Sequence, residues 1–463
     1  MAQAMDLAGW QPRLNELAQQ HAVPGALLAV LADGEVTTLA TGVLHKGTGV
    51  EATTDSLFQI GSISKAYTAT VLLRLIDQGL VSVDTPVVEV LPEFRVADPE
   101  VSRRVTLRHL LCHTSGINGD FFHDTGRGDD CLARYVQACA DLAQSHPLGA
   151  TFSYCNTGYI ILGRVIEALT GKVWDAALAE HLVAPLGLTH TWTLPEDVLR
   201  FRAAMGHITG AAGEAPQPAS SWYEMRSMGP AGLVCATAAD VVAFARLHLD
   251  DGRAPDGTRV LAASTVAEMQ RPQVTVPNPH GMADHWGLGW ALFDWGGRRV
   301  YGHDGDTIGQ SAYLRVVPDA GVAVALVTNS DMTAALYQDV FAELLGGLCE
   351  LEIPASVEPP ASPPQVDLDR HVGVYERVGM RMEAGLQHGR LVLHVKRTDA
   401  LAEVMPPYDM ELIPLTDTHL LGRPPFSTRW RSVVFSTLPD GTPYLHDGSR
   451  ATPKVTESVS SGG

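Results

Sequence analysis

The chain contains one Ser-x-x-Lys sequence, Ser62 followed by Lys65, and only five lysines in all. The apolar residues after it recur with helical period as far as Gly79, so the sequence predicts a helix that begins at Ser62. Lys65 then lies one turn on, on the same face as the serine. A buried, neutral amine can take the proton of a serine hydroxyl, which makes Ser62 a candidate nucleophile. A serine helix cap next to a solvated lysine is the structural alternative.

A second candidate motif is Tyr154-Cys155-Asn156, the only Tyr-x-Asn among eleven tyrosines. It precedes a helix that is predicted from Thr157 to Leu169, with Gly171 at its C-cap. The phenol could move a proton, and the amide could hold a substrate carbonyl or Lys65. The alternative is a tyrosine packed by its ring and an asparagine that caps the next helix.

A third candidate motif, His303-Asp304-Gly305, follows a strand that is predicted from residue 299 to residue 303. A glycine in this position allows the backbone to approach a ligand closely. His-x-Gly also occurs at His45 and at His446. We select His303 because its strand belongs to the sheet that should flank the Ser62 helix.

In chain order, these three motifs resemble those of the serine β-lactamase and penicillin-binding-protein superfamily. The resemblance is strongest to the class C-like branch, which contains esterases, D-specific peptidases and acyltransferases. Three further segments support it, and it covers roughly residues 10–350. The supporting segments are 110–116, 229–233 and 286–290.

The resemblance implies a role for each motif residue. Ser62 would be acylated, and Lys65 and Tyr154 would share the general acid and base work. Asn156 would orient the substrate amide. The backbone N–H groups of Ser62 and Asp306 would form the oxyanion hole beside Gly305. Whether Lys65 or Tyr154 is the base stays open at this stage.

His303 stands where many members of the superfamily have the lysine of a Lys-Thr-Gly motif. A histidine is mostly neutral at about pH 7, so it holds a substrate carboxylate less well than a lysine does. We therefore expect poor β-lactamase and carboxypeptidase activity, and better turnover of esters, thioesters or peptides without a terminal carboxylate. The absence of Gly-x-Ser-x-Gly from the sequence excludes the nucleophile elbow of α/β-hydrolases.

The elements predicted around the motifs give an α/β fold: an antiparallel sheet flanked by helices, with a helical lobe inserted between its early and late strands. With the resemblance, this is a β-lactamase-like catalytic domain over residues 1–352. The predicted strands are 26–31, 36–42, 299–303, 311–317 and 322–328, the helical lobe is 105–250, and the last helix is 336–348.

The last hundred or so residues differ from the rest of the chain in their pattern of apolar and polar residues. A Pro-rich linker over 353–365 is followed by short alternating segments over 366–457, which predict an all-β domain that resembles lipocalin-like modules. Residues 458–463 are predicted to be a disordered tail. Two arginines are candidate substrate contacts: Arg450 in the β-domain, if that domain caps the cleft, and Arg127 in the insertion 121–130.

Composition excludes several classes of function. A formal net charge of −19 argues against nucleic acid or an anionic membrane as the main partner. The six cysteines include no Cys-x-x-Cys and have no zinc-site spacing, so we expect reduced thiols and neither a metal nor a cofactor. The N-terminal residues have no basic and apolar leader pattern, which predicts a cytoplasmic protein.

Together these features resemble the stand-alone penicillin-binding-protein-type thioesterases. The resemblance implies that a peptide passes from a carrier-protein thioester to Ser62 and is then closed head to tail, with a D-residue at the acylating end. The alternatives are a class C-like carboxylesterase, a D-stereospecific peptidase or amidase, a β-lactamase, and a non-catalytic binding module. The sequence leaves open the acyl chain, the acceptor and the oligomeric state.

Overall fold

A computed structural model describes residues 6–210, 214–222, 224–331, 333–399, 402, 406–427 and 429–456 of the chain. The predicted disordered tail, 458–463, lies outside these residues. The described chain contains a large sheet between two helical layers and, at its C-terminal end, a closed barrel. The predicted α/β class and the C-terminal all-β domain are both confirmed.

The large sheet has nine strands in the order β3-β2-β1-β14-β13-β12-β11-β10-β9, and all its pairings are antiparallel. The strands before the barrel are β1 Gly25–Ala32, β2 Glu35–His45, β3 Val50–Glu51, β4 Phe58–Gln59, β5 Thr191–Trp192, β6 His207–Ile208, β7 Gln217–Pro218, β8 Cys235–Ala236, β9 Val274–Thr275, β10 His285–Trp286, β11 Ala291–Trp295, β12 Arg298–Thr307, β13 Gln310–Val317 and β14 Val322–Thr328.

The central strands are apolar on both faces because helices cover both sides of the sheet. In β14, for example, Val327 belongs to the core that contains α2, whereas Leu326 belongs to the opposite core. The helices are α1 Gln11–Gln20, α2 Ser64–Asp77, α3 Val87–Val90, α4 Pro99–Arg104, α5 Leu107–Leu111, α6 Cys131–Ala138, α7 Asn156–Thr170, α8 Trp174–Leu178, α9 Ala184–Leu186, α10 Pro195–Val198, α11 Gly229–Gly232, α12 Ala238–Leu249, α13 Ala263–Met269 and α14 Ala334–Cys349.

The start of the Ser62 helix differs in detail from the prediction. A 3₁₀ turn spans Gly61–Ile63, and α2 begins at Ser64. Gly61 has φ +51°, and a Cβ there would lie 2.6 Å from the backbone nitrogen of Asp306, so a larger residue could not enter this turn. The turn thus brings Ser62 directly against strand β12.

The barrel closes through eight strands, with β15 paired to β22. Its interior is filled by apolar residues such as Leu393, Leu412 and Leu445. The strands are β15 Gly373–Arg377, β16 Met380–Gln387, β17 Arg390–Arg397, β18 Tyr408–Pro414, β19 His419–Gly422, β20 Arg431–Thr437, β21 Pro443–Asp447 and β22 Arg450–Val455.

The barrel docks on the sheet domain through a buried side chain. The amide nitrogen of Asn278 donates to the backbone oxygens of Ser432, at 3.0 Å, and Gly448, at 3.2 Å. The Ser432 hydroxyl donates to the Asn278 amide oxygen at 2.7 Å. These bonds fix the turn between β21 and β22 beside the Tyr154 loop.

Two further features concern the protein's environment. Among the helices that the structure describes, none has the length and apolarity to cross a bilayer. The cysteines are free thiols; five are buried and Cys349 is partly buried.

Candidate active site

Ser62 and Lys65 form the first contact of the site. The Lys65 Nζ lies 2.9 Å from the Ser62 Oγ and donates to the backbone oxygen of Ala231 at 2.6 Å. Lys65 is fully buried in α2. Burial lowers its pKa well below the ordinary value, and the nearby Arg450 cation lowers it further. The amine is therefore held towards its neutral form, which can accept the serine proton.

Tyr154 lies over this pair. The Lys65 Nζ is 4.9 Å from the centroid of the Tyr154 ring. Burial raises the pKa of the phenol above its ordinary value, although a hydrogen bond to Ser62 opposes that shift. The phenol thus stays protonated at neutral pH and can donate a proton, whereas Lys65 can accept one.

The Tyr154 loop is held by His113, which the sequence placed in a supporting segment. The Cys155 backbone nitrogen donates to the His113 Nδ1 at 2.9 Å, and the Ser153 nitrogen donates to the His113 carbonyl at 2.9 Å. The His113 and Tyr154 ring centroids are 4.4 Å apart. His113 itself has φ +59°, a conformation that bulky residues rarely adopt, so these contacts hold it against local strain.

His303 completes the aromatic lining of the site. Its ring centroid is 6.2 Å from that of Tyr154 and 5.3 Å from that of Trp286. The His303 Nδ1 lies 2.6 Å from the Asp304 carbonyl, which can only accept, so Nδ1 carries the hydrogen. Nε2 is buried and has no partner among the described residues. Burial, with the charge of Lys65, lowers the pKa of His303 to about 3, so the ring is neutral near pH 7.

Gly305 allows strand β12 to approach the nucleophile. A Cβ at Gly305 would lie 1.9 Å from the Ile60 carbonyl oxygen and 2.8 Å from the Ser62 nitrogen. The backbone N–H groups of Ser62 and Asp306 therefore belong to two segments in direct contact, as an oxyanion hole requires. The Asp306 carboxylate accepts from the Ser311 hydroxyl at 2.7 Å, and burial raises its pKa.

Asn156 begins α7, with Cys155 as its N-cap residue. Its amide nitrogen lies 3.5 Å from a carboxylate oxygen of Asp120, which is a long contact. The asparagine is partly exposed, so its amide can reach a substrate.

Arg450 reaches from the barrel into this site. Its guanidinium carbon is 4.8 Å from the centroid of the Tyr154 ring, and its side chain is 18% exposed. It binds both oxygens of Asp120, at 3.0 Å and 2.7 Å. The Tyr154 nitrogen also donates to the Ser449 carbonyl at 2.9 Å. Arg450 is therefore not an exposed surface side chain, and the condition under which it could act, a β-domain that reaches the cleft, is met. Its role as a substrate contact stays a prediction.

The Asp120 carboxylate compensates the charge of Arg450. Although burial opposes both charges, the pair keeps the pKa of Asp120 below, and that of Arg450 above, its ordinary value. A second barrel arginine, Arg377, lies 3.5 Å from Asp120. The loop that carries Asp120 is thus joined to two barrel strands, β15 and β22, through one carboxylate.

Arg127 is not brought to the catalytic residues. Its side chain is 54% exposed and pairs with Glu196 at 2.7 Å. It lines a narrow space together with Gln59 and Glu224. Its predicted role as a substrate contact remains a prediction.

Sequence reasoning missed two acidic residues of the site. Asp120 immediately precedes the insertion that we noted, and Glu224 is near enough to Lys65 to raise its pKa. No local pattern marks either residue. Within the described residues, no group of three or more His, Cys, Asp or Glu side chains could hold a metal ion.

This geometry is that of a serine acyl-transfer site: a nucleophile with a buried amine, a protonated phenol and two backbone donors. The family model described as Beta-lactamase matches residues 10–345, and the chain belongs to this family of serine hydrolases. It is 55% identical over 377 residues to Penicillin-binding protein 4 from Amycolatopsis lactamdurans, which covers 81% of this chain and 98% of that protein.

Two of the solved structures that resemble the chain match it beyond the catalytic domain. The crystal structure of SurE is 29% identical, with a TM-score of 0.80, and the match covers 97% of this chain and 99% of that one. SurE with D-Leu matches with a TM-score of 0.78, 28% identity and the same shares of each chain. A D-stereospecific amidohydrolase from Streptomyces sp. is 26% identical, with a TM-score of 0.58, over 75% of this chain and 99% of that one.

Proposed function

We propose that this protein takes a peptide with a D-residue at its acylating end from a thioester and closes it head to tail. One observation carries the proposal: the cleft offers a substrate carboxylate no uncompensated fixed cation among the described residues. His303 is neutral, Lys65 is held towards neutrality, and Arg450 is paired with Asp120. A thioester carbonyl carries no charge and suits such a site better than a substrate with a terminal carboxylate.

The first half-reaction would acylate Ser62. Its Oγ attacks the thioester carbonyl while Lys65 takes the hydroxyl proton, and the N–H groups of Ser62 and Asp306 hold the developing oxyanion. The C–S bond then breaks, and Tyr154 donates its proton to the leaving thiolate. Lys65 returns the serine proton to Tyr154, so the net result is an acyl ester and a free thiol.

The second half-reaction would release the product. The N-terminal amine of the same peptide attacks the acyl ester, and the C–O bond to Ser62 breaks. The proton of the amine passes through Lys65 and Tyr154 to the Ser62 oxygen, which restores the free enzyme. Water in place of the amine would give the linear acid.

The comparisons support a D-residue at the acylating end. SurE has been solved with D-Leu, and the Streptomyces amidohydrolase is described as D-stereospecific. The match to SurE includes the barrel, which in this chain supplies Arg450 to the cleft. A carrier protein that presents the thioester would be the partner, and a carrier-bound donor implies action in the cytoplasm.

A D-peptidase that reacts with penicillin is the second candidate. The relative at 55% identity is named a penicillin-binding protein, and penicillins carry a carboxylate. A class C-like carboxylesterase would instead prefer simple esters. Both share the acyl-Ser62 step and differ in donor and acceptor.

The test is a comparison of products by mass spectrometry. A linear peptidyl thioester mimic with a C-terminal D-residue is incubated with the wild-type protein and with Ser62→Ala. The proposal expects the cyclic peptide from the wild type only, and a much slower reaction when the terminal residue is the L-isomer. Linear acid alone, with fast turnover of p-nitrophenyl esters, would favour the esterase. Rapid acylation by penicillin with no use of the thioester would favour the D-peptidase.

A further inference from the structure

A buried arginine binds the strand that carries His303 and the Asp306 backbone donor. Successive side chains of a strand point to opposite faces, so the Asp304 side chain points away from the face that His303 lines. Both oxygens of the Asp304 carboxylate accept from the Arg315 guanidinium, one of them at 3.1 Å. This bidentate pair therefore fixes the orientation of the residue between His303 and Gly305.

Arg315 reaches Asp304 because of the register between β12 and β13. It stands opposite Gly302, which has no side chain, and Asp304 is two positions further along β12. Diagonal neighbours on adjacent strands are within reach of a long side chain. The guanidinium also donates to the Leu314 carbonyl at 2.9 Å. The arginine thus ties the Asp304 carboxylate to strand β13.

Three aromatic rings hold the guanidinium in place. Its central carbon lies 4.5 Å from the centroid of the Phe293 ring, 5.0 Å from that of Tyr337 and 5.8 Å from that of Trp295. Stacking on rings and bidentate pairing both distinguish arginine from lysine. The Arg315 side chain is 4% exposed, whereas that of Asp304 is 42% exposed. The arginine is therefore the fixed partner, and the carboxylate is the partner that could move if the pair were lost.

A requirement for stability does not by itself explain a charge at this position. Every residue of β13 is buried, and Arg315 is the only charged residue in that strand. Replacement of a buried ion pair by apolar residues of similar volume is often neutral or stabilising. The location of the pair, next to the catalytic part of β12, suggests another reason for it.

The end of β12 has to be placed accurately. Gly305 lies against the Ser62 turn, and the next residue, Asp306, supplies a backbone donor. On the other side, the His303 Nδ1 donates to the Asp304 carbonyl at 2.6 Å. Oxyanion donors act at about 2.7–3.1 Å from the oxygen, and a misplacement of about 1 Å can lower a rate about 10²-fold. A shift of Asp304 would therefore disturb both the His303 ring and the Asp306 N–H.

We propose that Arg315 is a positioning residue for the oxyanion hole, and that it acts through Asp304 to hold residues 303–306 of β12 against the Ser62 turn. Arg315 does not act on the substrate itself. Loss of the pair should weaken binding of the transition state and leave binding of the substrate nearly unchanged. The inference concerns the acyl-transfer step, so it goes beyond the choice between a thioester, an ester and an amide as donor.

The test removes both charges together. In the double variant Arg315→Met/Asp304→Asn, no charge of the pair is left without its partner, so we expect a urea unfolding midpoint close to that of the wild type. Arg315→Met alone leaves the carboxylate unpaired and should have a lower midpoint. The matched control is Arg298→Met, which breaks a bidentate pair with Asp319 at the other end of β12.

Phenylboronic acid measures the oxyanion hole directly. Its boron bonds to the Ser62 Oγ as the hydroxyl proton passes to Lys65, and one oxygen of the tetrahedral adduct lies in the oxyanion hole. By isothermal titration, we expect the double variant to lose about 10–100-fold in affinity, with Arg298→Met unchanged. The half-saturating concentration of p-nitrophenyl acetate in acylation should change less than about twofold. Arg315→Lys should recover part of the affinity, because lysine keeps the charge without the bidentate geometry.

A merely structural role predicts a different pattern. Wild-type affinity for phenylboronic acid in the folded double variant would overturn the inference. An equal loss of affinity in Arg298→Met would also overturn it, because any disturbance of β12 would then suffice. Phenylboronic acid contains neither a peptide nor a thioester, so the result does not depend on whether the protein cyclises peptides.

Discussion

The two walls of the cleft are built in different ways. The catalytic wall, formed by Ser62, Lys65 and Tyr154, belongs to the sheet domain and rests on apolar core. The barrel wall, formed by Ser449 and Arg450, reaches the cleft as one hairpin of a separate domain and is held by hydrogen bonds and ion pairs. Burial therefore determines the protonation states of Lys65 and Tyr154 in the catalytic wall, whereas pairing with Asp120 determines the position of Arg450 in the barrel wall.

Because of this difference, we expect the catalytic wall to determine the rate of the chemical steps and the barrel wall to determine which substrates are used. Desolvation of Lys65 in α2 is the largest cause of its lowered pKa. Arg450 only adjusts that pKa, through its charge, and shapes the space above Tyr154. Changes in the catalytic wall should abolish turnover of every substrate, and changes in the barrel wall should discriminate among substrates.

The largest effect is expected from Lys65→Met. It removes the proposed base with little change in volume, so acylation should fall by about 10²–10⁴-fold for every donor. In the wild type, the lowered pKa of Lys65 means that activity rises with pH as the ammonium loses its proton. His303→Gln should leave this acid limb in place, since the pKa of His303 is already about 3. Disappearance of the acid limb in His303→Gln would show that the limb reports the titration of His303 and not that of Lys65.

The second largest effect is expected from Asp120→Ala. It leaves Arg450 and Arg377 buried without their carboxylate, and breaking a buried pair costs about 3–5 kcal/mol. We expect a lower midpoint in urea unfolding. Glu196→Ala is the control, because it breaks the exposed pair with Arg127, which contributes about 0–1 kcal/mol. Equal effects of the two variants would mean that Asp120 does not hold the domains together.

Arg450→Ala tests the barrel wall, although it also breaks the buried pair with Asp120. We predict that the Arg450 guanidinium donates to a carbonyl of the peptidyl donor. Loss of that one charge-assisted hydrogen bond, about 1.5–3 kcal/mol, should lower kcat/KM for peptidyl donors by about 10–100-fold and spare p-nitrophenyl acetate. Because the Arg450 cation lowers the Lys65 pKa, its removal should also move the acid limb to higher pH. Arg390→Ala, at an exposed barrel arginine, is the control. An unchanged limb and unchanged peptide kinetics would show that the arginine is structural.

The smallest effect is expected from Asn278→Ala. It removes hydrogen bonds that anchor the barrel. The buried carbonyl of Ser432 and the partly buried carbonyl of Gly448 lose a donor, at a cost of about 1–3 kcal/mol. We expect lower stability and increased hydrogen exchange in the β21–β22 turn, with p-nitrophenyl acetate turnover unchanged. Loss of that basal turnover would show that the two walls are not independent.

The catalytic wall could be predicted from the sequence because its signals are local. Ser62 and Lys65 are one helical turn apart, the strands 311–317 and 322–328 alternate around a clear turn, and both predictions are confirmed as elements. The 3₁₀ turn at Gly61 was not predicted, because it depends on contact with Asp306 far along the chain.

The barrel wall could not be predicted in the same way. Asp120 and Arg450 meet across 330 residues, and neither lies in a pattern that identifies the other. The sequence suggested only that Arg450 could act if the β-domain capped the cleft. That condition depends on domain docking, to which tertiary contacts such as the Ser432–Asn278 hydrogen bond contribute.

The most direct test of the account is the mass of the protein during turnover. Wild-type protein is mixed with a linear peptidyl thioester that ends in a D-residue, quenched in acid at short times and measured intact. The account predicts a mass increase equal to the acyl peptide, located on Ser62, that decays as cyclic peptide forms and is absent in Ser62→Ala. Cyclic product without any adduct on Ser62, or an adduct that survives in Ser62→Ala, would contradict it.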